Sequence, residues 1–381
     1  MTNMSDGGGA ELPSGAAAGA ESAVALEALG VAVSAGVPVV LWGSPGTGKT
    51  SAVVALAEAL GWPVEVVIGS IREPSDFAGL PVVDGGTVRL AAPAWAQRLA
   101  EAQHGLLFLD ELTTAPPAVQ AAMLRIVLER VVGDIQLPPQ VRVVAAANPP
   151  GEAADGWDLA PPLANRLVHL DWTIDAKQVA QGMAAGFPQP SFLLPEGPPD
   201  PTYRSVAKSA VAGFLQARPE LVLQVPTSVT AASRGWPSPR SWESVATLLG
   251  ACEAAKAPPE VLETLVVGAV GEGPGIEFLS WLADSDLPAP EAVLEAPGEF
   301  VLPSRSDRAF AVLTAVVSLA VARGDEESWS AAWIVVGRAA EAAPDVAALV
   351  ARKLARHRPE GAALPVQITQ LLPVLRAAGL L

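Results

Sequence analysis

Residues Gly43-Ser44-Pro45-Gly46-Thr47-Gly48-Lys49-Thr50 constrain this 381-residue chain more than any other stretch. They satisfy G-x-x-x-x-G-K-[ST] and lie between an apolar run, Val37–Trp42, and a stretch with helical character from Thr50 to Leu60. A strand that turns through glycines into a helix aims successive backbone N–H groups at an anion, and glycine accepts the positive φ this needs. The pattern predicts a loop that cradles the phosphates of a nucleotide. Lys49 is expected to reach the β- and γ-phosphates, and the Thr50 hydroxyl to hold Mg²⁺. The competing reading is a Gly-rich turn with no ligand.

Two further stretches end buried strands in polar groups. Leu106-Leu107-Phe108-Leu109 runs into Asp110-Glu111, and Ala145-Ala146-Ala147 runs into Asn148. Open α/β sheets bind ligands at the carboxyl ends of their strands, which is where these side chains would emerge. Asp110 suits a Mg²⁺ partner, and Glu111 suits the group that polarises an attacking water. Asn148 can hold that water against the γ-phosphate without changing charge; alone, it could equally cap a turn before Pro149-Pro150.

The surrounding pattern fits. Strand candidates Val37–Trp42, Val64–Ile68, Gly105–Asp110, Val141–Ala147 and Leu167–Asp171 alternate with helix candidates near Thr50–Leu60, Pro93–Gln103 and Pro116–Glu129. Apolar strands separated by helices predict a five-stranded parallel sheet buried on both faces. Val82–Leu90, with Asp84-Gly85-Gly86 inside it, reads as a hairpin, and Val131–Val141 as a second. Beyond a Pro-rich linker at Gly186–Pro201 the strand signal fades. Thr202–Ala217, Arg240–Lys256 and Pro258–Val270 look helical, and Ser304–Leu381 reads as four helices. The expected division is a flexible lead over 1–20, an α/β domain over 21–172, a helical lid over 173–285 and a helical extension over 286–381.

Composition removes other classes. The 24 Lys+Arg against 40 Asp+Glu give a net charge of −16. A field of that sign repels phosphate backbones and anionic lipids, so neither nucleic acid nor membrane is an expected partner. The single cysteine, Cys252, rules out a disulfide framework and reads as core packing. His104, His169 and His357 are scattered, which disfavours a histidine metal site. The longest uncharged apolar run, Ala309–Ala322, makes about 21 Å of helix against the roughly 30 Å of a hydrocarbon core. With no signal-peptide pattern at the start, a soluble cytoplasmic protein is expected. Trp42, beside the loop, could pack in the strand or touch adenine. His104 is expected to cap the helix before it.

These motifs resemble those of the AAA+ ATPases, and within them the MoxR-type group of the dynein-related, helix-2-insert branch. The resemblance covers about Ala23 to Gly271. Its family-level marks are the Walker A loop at Gly43–Thr50, the Walker B strand at Leu106–Glu111 and sensor 1 at Asn148. Arg72-Glu73-Pro74-Ser75-Asp76-Phe77-Ala78-Gly79-Leu80-Pro81 and Val144–Pro150 point to the MoxR-like members. The first of these stretches has no chemical role that the sequence assigns.

The resemblance implies more than the residues do. Leu163-Ala164-Asn165-Arg166-Leu167 is similar to the family's stretch that presents an arginine to the neighbouring subunit's nucleotide, which makes Arg166 the candidate finger and Arg130 the reserve. The family more often has Phe where this chain has Leu167. Pro237-Ser238-Pro239-Arg240-Ser241-Trp242 is similar to the sensor 2 motif, implying that Arg240 contacts the γ-phosphate from the lid. The family's members imply a homo-oligomeric ring, here a hexamer, that hydrolyses ATP with Mg²⁺ and remodels a protein client, such as one with a von Willebrand factor A-type domain. A scaffold that binds ATP with negligible turnover is the alternative. A DNA motor or a guanine-specific subunit finds no support, since no N-K-x-D motif is present.

Overall fold

The computed structural model describes residues 15–149, 152, 156–195, 201–284, 287–363 and 365–367. The strands among them are β1 (Val39–Trp42), β2 (Val64–Ile68), β3 (Leu80–Asp84), β4 (Thr87–Ala91), β5 (His104–Asp110), β6 (Val131–Val132), β7 (Ile135–Gln136), β8 (Gln140–Ala147) and β9 (Val168–Asp171). Five form one sheet in the order β2–β5–β8–β1–β9, with every neighbouring pair parallel. This is the expected α/β core, because strands apolar on both sides must be covered on both faces. The two hairpins are also present, as β3–β4 and β6–β7.

The order has a direct consequence for function. Strand β8 lies between β5 and β1, with Trp42 level with Ala147 and Leu109 level with Ala145. The loop after β1, Asn148 after β8 and the acid pair ending β5 therefore leave the sheet at the same edge, side by side.

Helices α1 (Gly15–Ala35), α2 (Lys49–Leu60), α3 (Ser75–Ala78), α4 (Ala94–Ala102), α5 (Pro117–Glu129), α6 (Pro161–Ala164) and α7 (Ala176–Ala185) accompany the sheet. Helix α1 corrects the sequence expectation. It begins inside the segment read as a flexible lead, while residues 1–14 of that segment lie outside the described residues. Its second half is hard to read as a helix because Ala28, Leu29, Val31, Ala32 and Val33 are all buried, which leaves no polar stripe along that stretch. His104 is a second correction. Gln103, at φ 63°, ends α4, and His104 opens β5 with its ring edge-on to Trp62.

Downstream come α8 (Pro201–Ala217), α9 (Val229–Ala232), α10 (Pro239–Ala255), α11 (Pro259–Val270) and α12 (Glu272–Asp284), followed by α13 (Pro290–Glu295), α14 (Ser306–Arg323), α15 (Glu326–Ala339) and α16 (Pro344–Arg356). Helix α12 was unreadable because Gly273, Pro274 and Gly275 open it; proline is tolerated in a first turn, where its missing N–H has no partner to lose. All but the first residues of the fourth tail helix expected after Pro365 lie outside the described residues, as does most of the stretch around Pro150 and the end of the Pro-rich linker.

One face of the sheet packs on α1, α2, α8, α10, α11 and α12, where Phe214 meets Phe278 and Trp281 edge to face and Trp242 meets Phe278 in the same way. Cys252 is buried in that cluster, and burial pushes its thiol up to about 12, so it packs as expected. The opposite face packs on α4, α5, α6 and the β6–β7 hairpin. A third cluster joins α13 to α16 around Trp329 and Trp333. Helix α14 takes part in two clusters, with Ala311 in the first and Val312, Leu313 and Val316 in the third. No described helix is long and apolar enough to cross a membrane.

Candidate nucleotide site

The loop from Gly43 to Thr50 turns sharply, with Gly46 at φ 78° and Gly48 at φ 84°. Those angles let the chain enter α2 with its first N–H groups aimed into the concavity. Trp172 closes the side of the loop. Its Nε1–H donates to the Thr47 carbonyl at 3.0 Å, and its backbone lies so near Gly43 that a Cβ there would meet the Trp172 carbonyl oxygen at 2.5 Å. Gly43→Ala should therefore push Trp172 off the loop, costing about 1–3 kcal/mol of stability as overpacking does. Thermal unfolding together with ATP retention measures the effect; a variant as stable and as retentive as the parent would contradict it.

Lys49 is buried, and its ammonium donates to the carbonyl of Gly43, to that of Ser44 at 3.0 Å and to Asn148 Oδ1 at 3.4 Å. Burial lowers its pKa, against which the carboxylates of Asp110 and Glu152 act. The cation thus rests on the loop's own oxygens, where a phosphate would be a stronger acceptor. Thr50 Oγ1 donates to Asp110 Oδ2 at 2.9 Å. A hydroxyl and a carboxylate oxygen in contact are hard donors of the kind Mg²⁺ takes. Among the described residues no group of three or more His, Cys, Asp or Glu could hold a metal.

Asp110 Oδ1 accepts from the Glu111 backbone N–H at 2.8 Å. Glu111 itself sits at φ 57°, a left-handed conformation uncommon for a side chain of its kind and frequent at functional sites. Its Oε2 accepts from Ser70 Oγ. Sequence reading missed Ser70. The signal was available in the register, since Ile68 pairs with Asp110 and the next turn of chain must lie beside Glu111. Thr113 was missed too. Its hydroxyl accepts from the Asn148 N–H at 3.0 Å and donates to the Asn148 carbonyl at 3.2 Å, which fixes the backbone at Asn148. Trp42 packs rather than facing the loop: its Nε1–H donates to His169 Nδ1 at 2.8 Å, and Arg234 lies 4.2 Å above its ring.

The arginines are elsewhere. Arg240 lines a hollow of about 360 Å³ together with Arg130, Arg142, Arg204 and residues 35–38, which precede β1. Pro139, just before β8, also lines it. This is the amino edge of the sheet, opposite the loop. Arg166, just before β9, lies close by: burial lowers its pKa first, and the charge of Arg240 lowers it further. Arg130 and Arg142 both donate to the Pro139 carbonyl. Among the described residues no carboxylate forms an ion pair with Arg130, Arg142, Arg166 or Arg240. Arg240 thus stands at the edge of the sheet opposite the loop of its own chain.

A Gly-rich loop, an acid pair and an asparagine at the carboxyl ends of three adjacent parallel strands define a P-loop nucleoside triphosphatase core. Residues 38–167 match the AAA domain of the dynein-related subfamily. Over 121 residues it is 32% identical to the pathogenicity locus probable regulatory protein WtsA of Pantoea stewartii subsp. stewartii; the match covers 30% of this chain and 38% of that protein. The chain thus spans well under half of that relative's length. A candidate ATPase of solved structure from Cytophaga hutchinsonii aligns over 68% of this chain and 86% of its own, with 15% identity and a TM-score of 0.42.

Proposed function

We propose that the protein hydrolyses ATP with Mg²⁺ in a ring, each site being completed by the neighbouring subunit. The observation that carries the reading is the split of the machinery. Lys49, Thr50, Asp110, Glu111 and Asn148 face one edge of the sheet, and Arg166 and Arg240, with no carboxylate partner among the described residues, face the other. One chain cannot bring both sets to one nucleotide, whereas a head-to-tail ring places the arginine edge of one copy against the loop of the next.

In this scheme the loop amides and Lys49 hold the phosphates, while Thr50 and Asp110 hold the metal. Held there, the metal would supply positive charge to offset the negative charge that develops on the phosphates. Glu111 accepts a proton from the attacking water as Asn148 orients it, and Arg166 and Arg240 of the adjacent copy stabilise the transferring phosphoryl group. The work is remodelling of a protein client, as the MoxR-type resemblance implies, with a von Willebrand factor A-type domain as the first class to test. Strands β3 and β4 support a client contact: Leu80, Val82, Val83 and Val88 all lie exposed on one hairpin.

The test mixes two inactive subunits. Arg166→Ala keeps an intact loop, and Lys49→Ala keeps intact arginines. Mixed at random, about one quarter of interfaces join the two intact halves and should recover turnover in that proportion. Absence of any recovery, or a rate per subunit that stays constant on dilution, would remove the shared site.

A further inference from the structure

The amino edge of the sheet holds a buried amide that the scheme above leaves unused. Asn165, 6% exposed, directly precedes Arg166. Its Oδ1 accepts from Ser238 Oγ at 2.7 Å, and its Nδ2 donates to the Trp236 carbonyl at 2.9 Å. Ser238 is the N-cap of α10, and Arg240 stands in the first turn of that helix. Ser241 closes the same knot, donating to the Trp236 carbonyl at 2.9 Å and accepting from the Ser238 N–H at 2.9 Å. One side chain thus ties the segment bearing Arg166 to the helix start bearing Arg240.

The tie continues toward the chain's own loop. The Ala164 carbonyl accepts from His169 Nε2 at 3.0 Å, and His169 Nδ1 accepts from Trp42, the residue before Gly43. Burial pushes the imidazole down to about 4, so it is neutral near pH 7, with one nitrogen donating and the other accepting. The chain's own loop strand and its exported arginines therefore share one frame of fixed hydrogen bonds.

We propose that Asn165 is a positioning residue that fastens the start of the lid helix to the finger segment, so that Arg166 and Arg240 meet the neighbour's nucleotide as one unit. This rests on the shared-site reading. The physical need is plain. Two guanidinium groups without carboxylate partners repel each other, and something other than an anion must hold them together before the neighbour's phosphate arrives. Asn165 does so through both ends of a planar amide. Replacing that amide with a methyl leaves a buried carbonyl at Trp236 with one bond fewer and frees the helix start to swing.

The test uses full-length Asn165→Ala. We expect kcat to fall about 10- to 100-fold with the KM for ATP held within about twofold, the pattern of displaced groups that act only in the transition state. Amide exchange should quicken together over residues 161–167 and 229–241 and nowhere else. Mixing with Lys49→Ala should recover turnover, and mixing with Arg166→Ala should not. An unchanged kcat beside an inactive Arg166→Ala overturns the proposal, as does a joint loss of turnover and ATP binding. Should the alanine variant not fold, Asn165→Asp carries the same test, since it keeps an acceptor for Ser238 and loses the donor to Trp236. If Arg166→Ala turns over normally, the shared site itself fails, and the exchange measurement alone decides the fastening: unchanged exchange overturns it.

Discussion

Glu111→Gln is expected to leave ATP bound while stopping its hydrolysis. The substitution keeps the size of the side chain and the Ser70 contact, because a glutamine oxygen also accepts a hydroxyl hydrogen bond. It keeps the left-handed backbone at residue 111, which the Asp110 carboxylate holds by accepting the residue's N–H. What it removes is the negative charge and the basic oxygen at the edge where Lys49, Thr50 and Asn148 converge. Loss of a positioned base lowers turnover by about 10²- to 10⁴-fold. None of the groups expected to grip phosphate changes, so retention of ATP by the purified variant should match that of the parent. Filter retention with labelled ATP and phosphate release measure the two quantities separately. Turnover within a factor of two of the parent would remove Glu111 from the chemistry, and loss of ATP would mean that it shapes the pocket instead. A chain that retains ATP without turnover also suits capture of a client, and its partners can be identified by pull-down.

The nucleotide edge was legible because its chemistry is local. A loop between a strand and a helix is written in consecutive residues, and Gly46, Gly48, Lys49 and Thr50 can be placed with no knowledge of the rest of the chain. The strands were readable for a similar reason. Runs of Val, Ile and Leu such as Leu106–Leu109, when helices separate them, suit a parallel sheet covered on both faces and little else. Residues that act across the sheet were harder to see. Ser70 reaches Glu111 only because β2 pairs with β5, and Trp172 reaches Thr47 only because β9 pairs with β1. Helix α1 fails in the other direction, since continuous burial over residues 28–33 erases the periodicity that would have revealed it. Arg240 carries the sharpest lesson. Its motif was readable, but the direction it faces is set by how α10 meets the segment before β9, a contact between residues 73 positions apart at Ser238 and Asn165.

That direction underlies the second large effect. Arg166→Ala should bind ATP as the parent does and hydrolyse it about 10³- to 10⁵-fold more slowly, equivalent to roughly 4–7 kcal/mol of lost transition-state stabilisation. The affinity prediction follows from placement: Arg166 leaves the sheet at the amino edge, so the chain's own loop retains every contact that Gly43 to Thr50 provide. The rate prediction follows from charge. A phosphoryl group in transfer gains negative charge on oxygens that water stabilises less well than a fixed guanidinium does. Burial and the neighbouring Arg240 already make this guanidinium costly to keep charged, and a phosphate of the adjacent copy would relieve that cost on contact. Arg240→Ala should act in the same sense, again with ATP binding preserved. If Arg240 instead served its own nucleotide, its loss would weaken ATP retention in dilute, dissociated protein, where no neighbour is present. Measuring ATP affinity for both variants at concentrations below and above ring assembly separates the cases. Equal affinity at low concentration, with the deficit confined to turnover in the assembled state, is the outcome that the opposed edges of this sheet require.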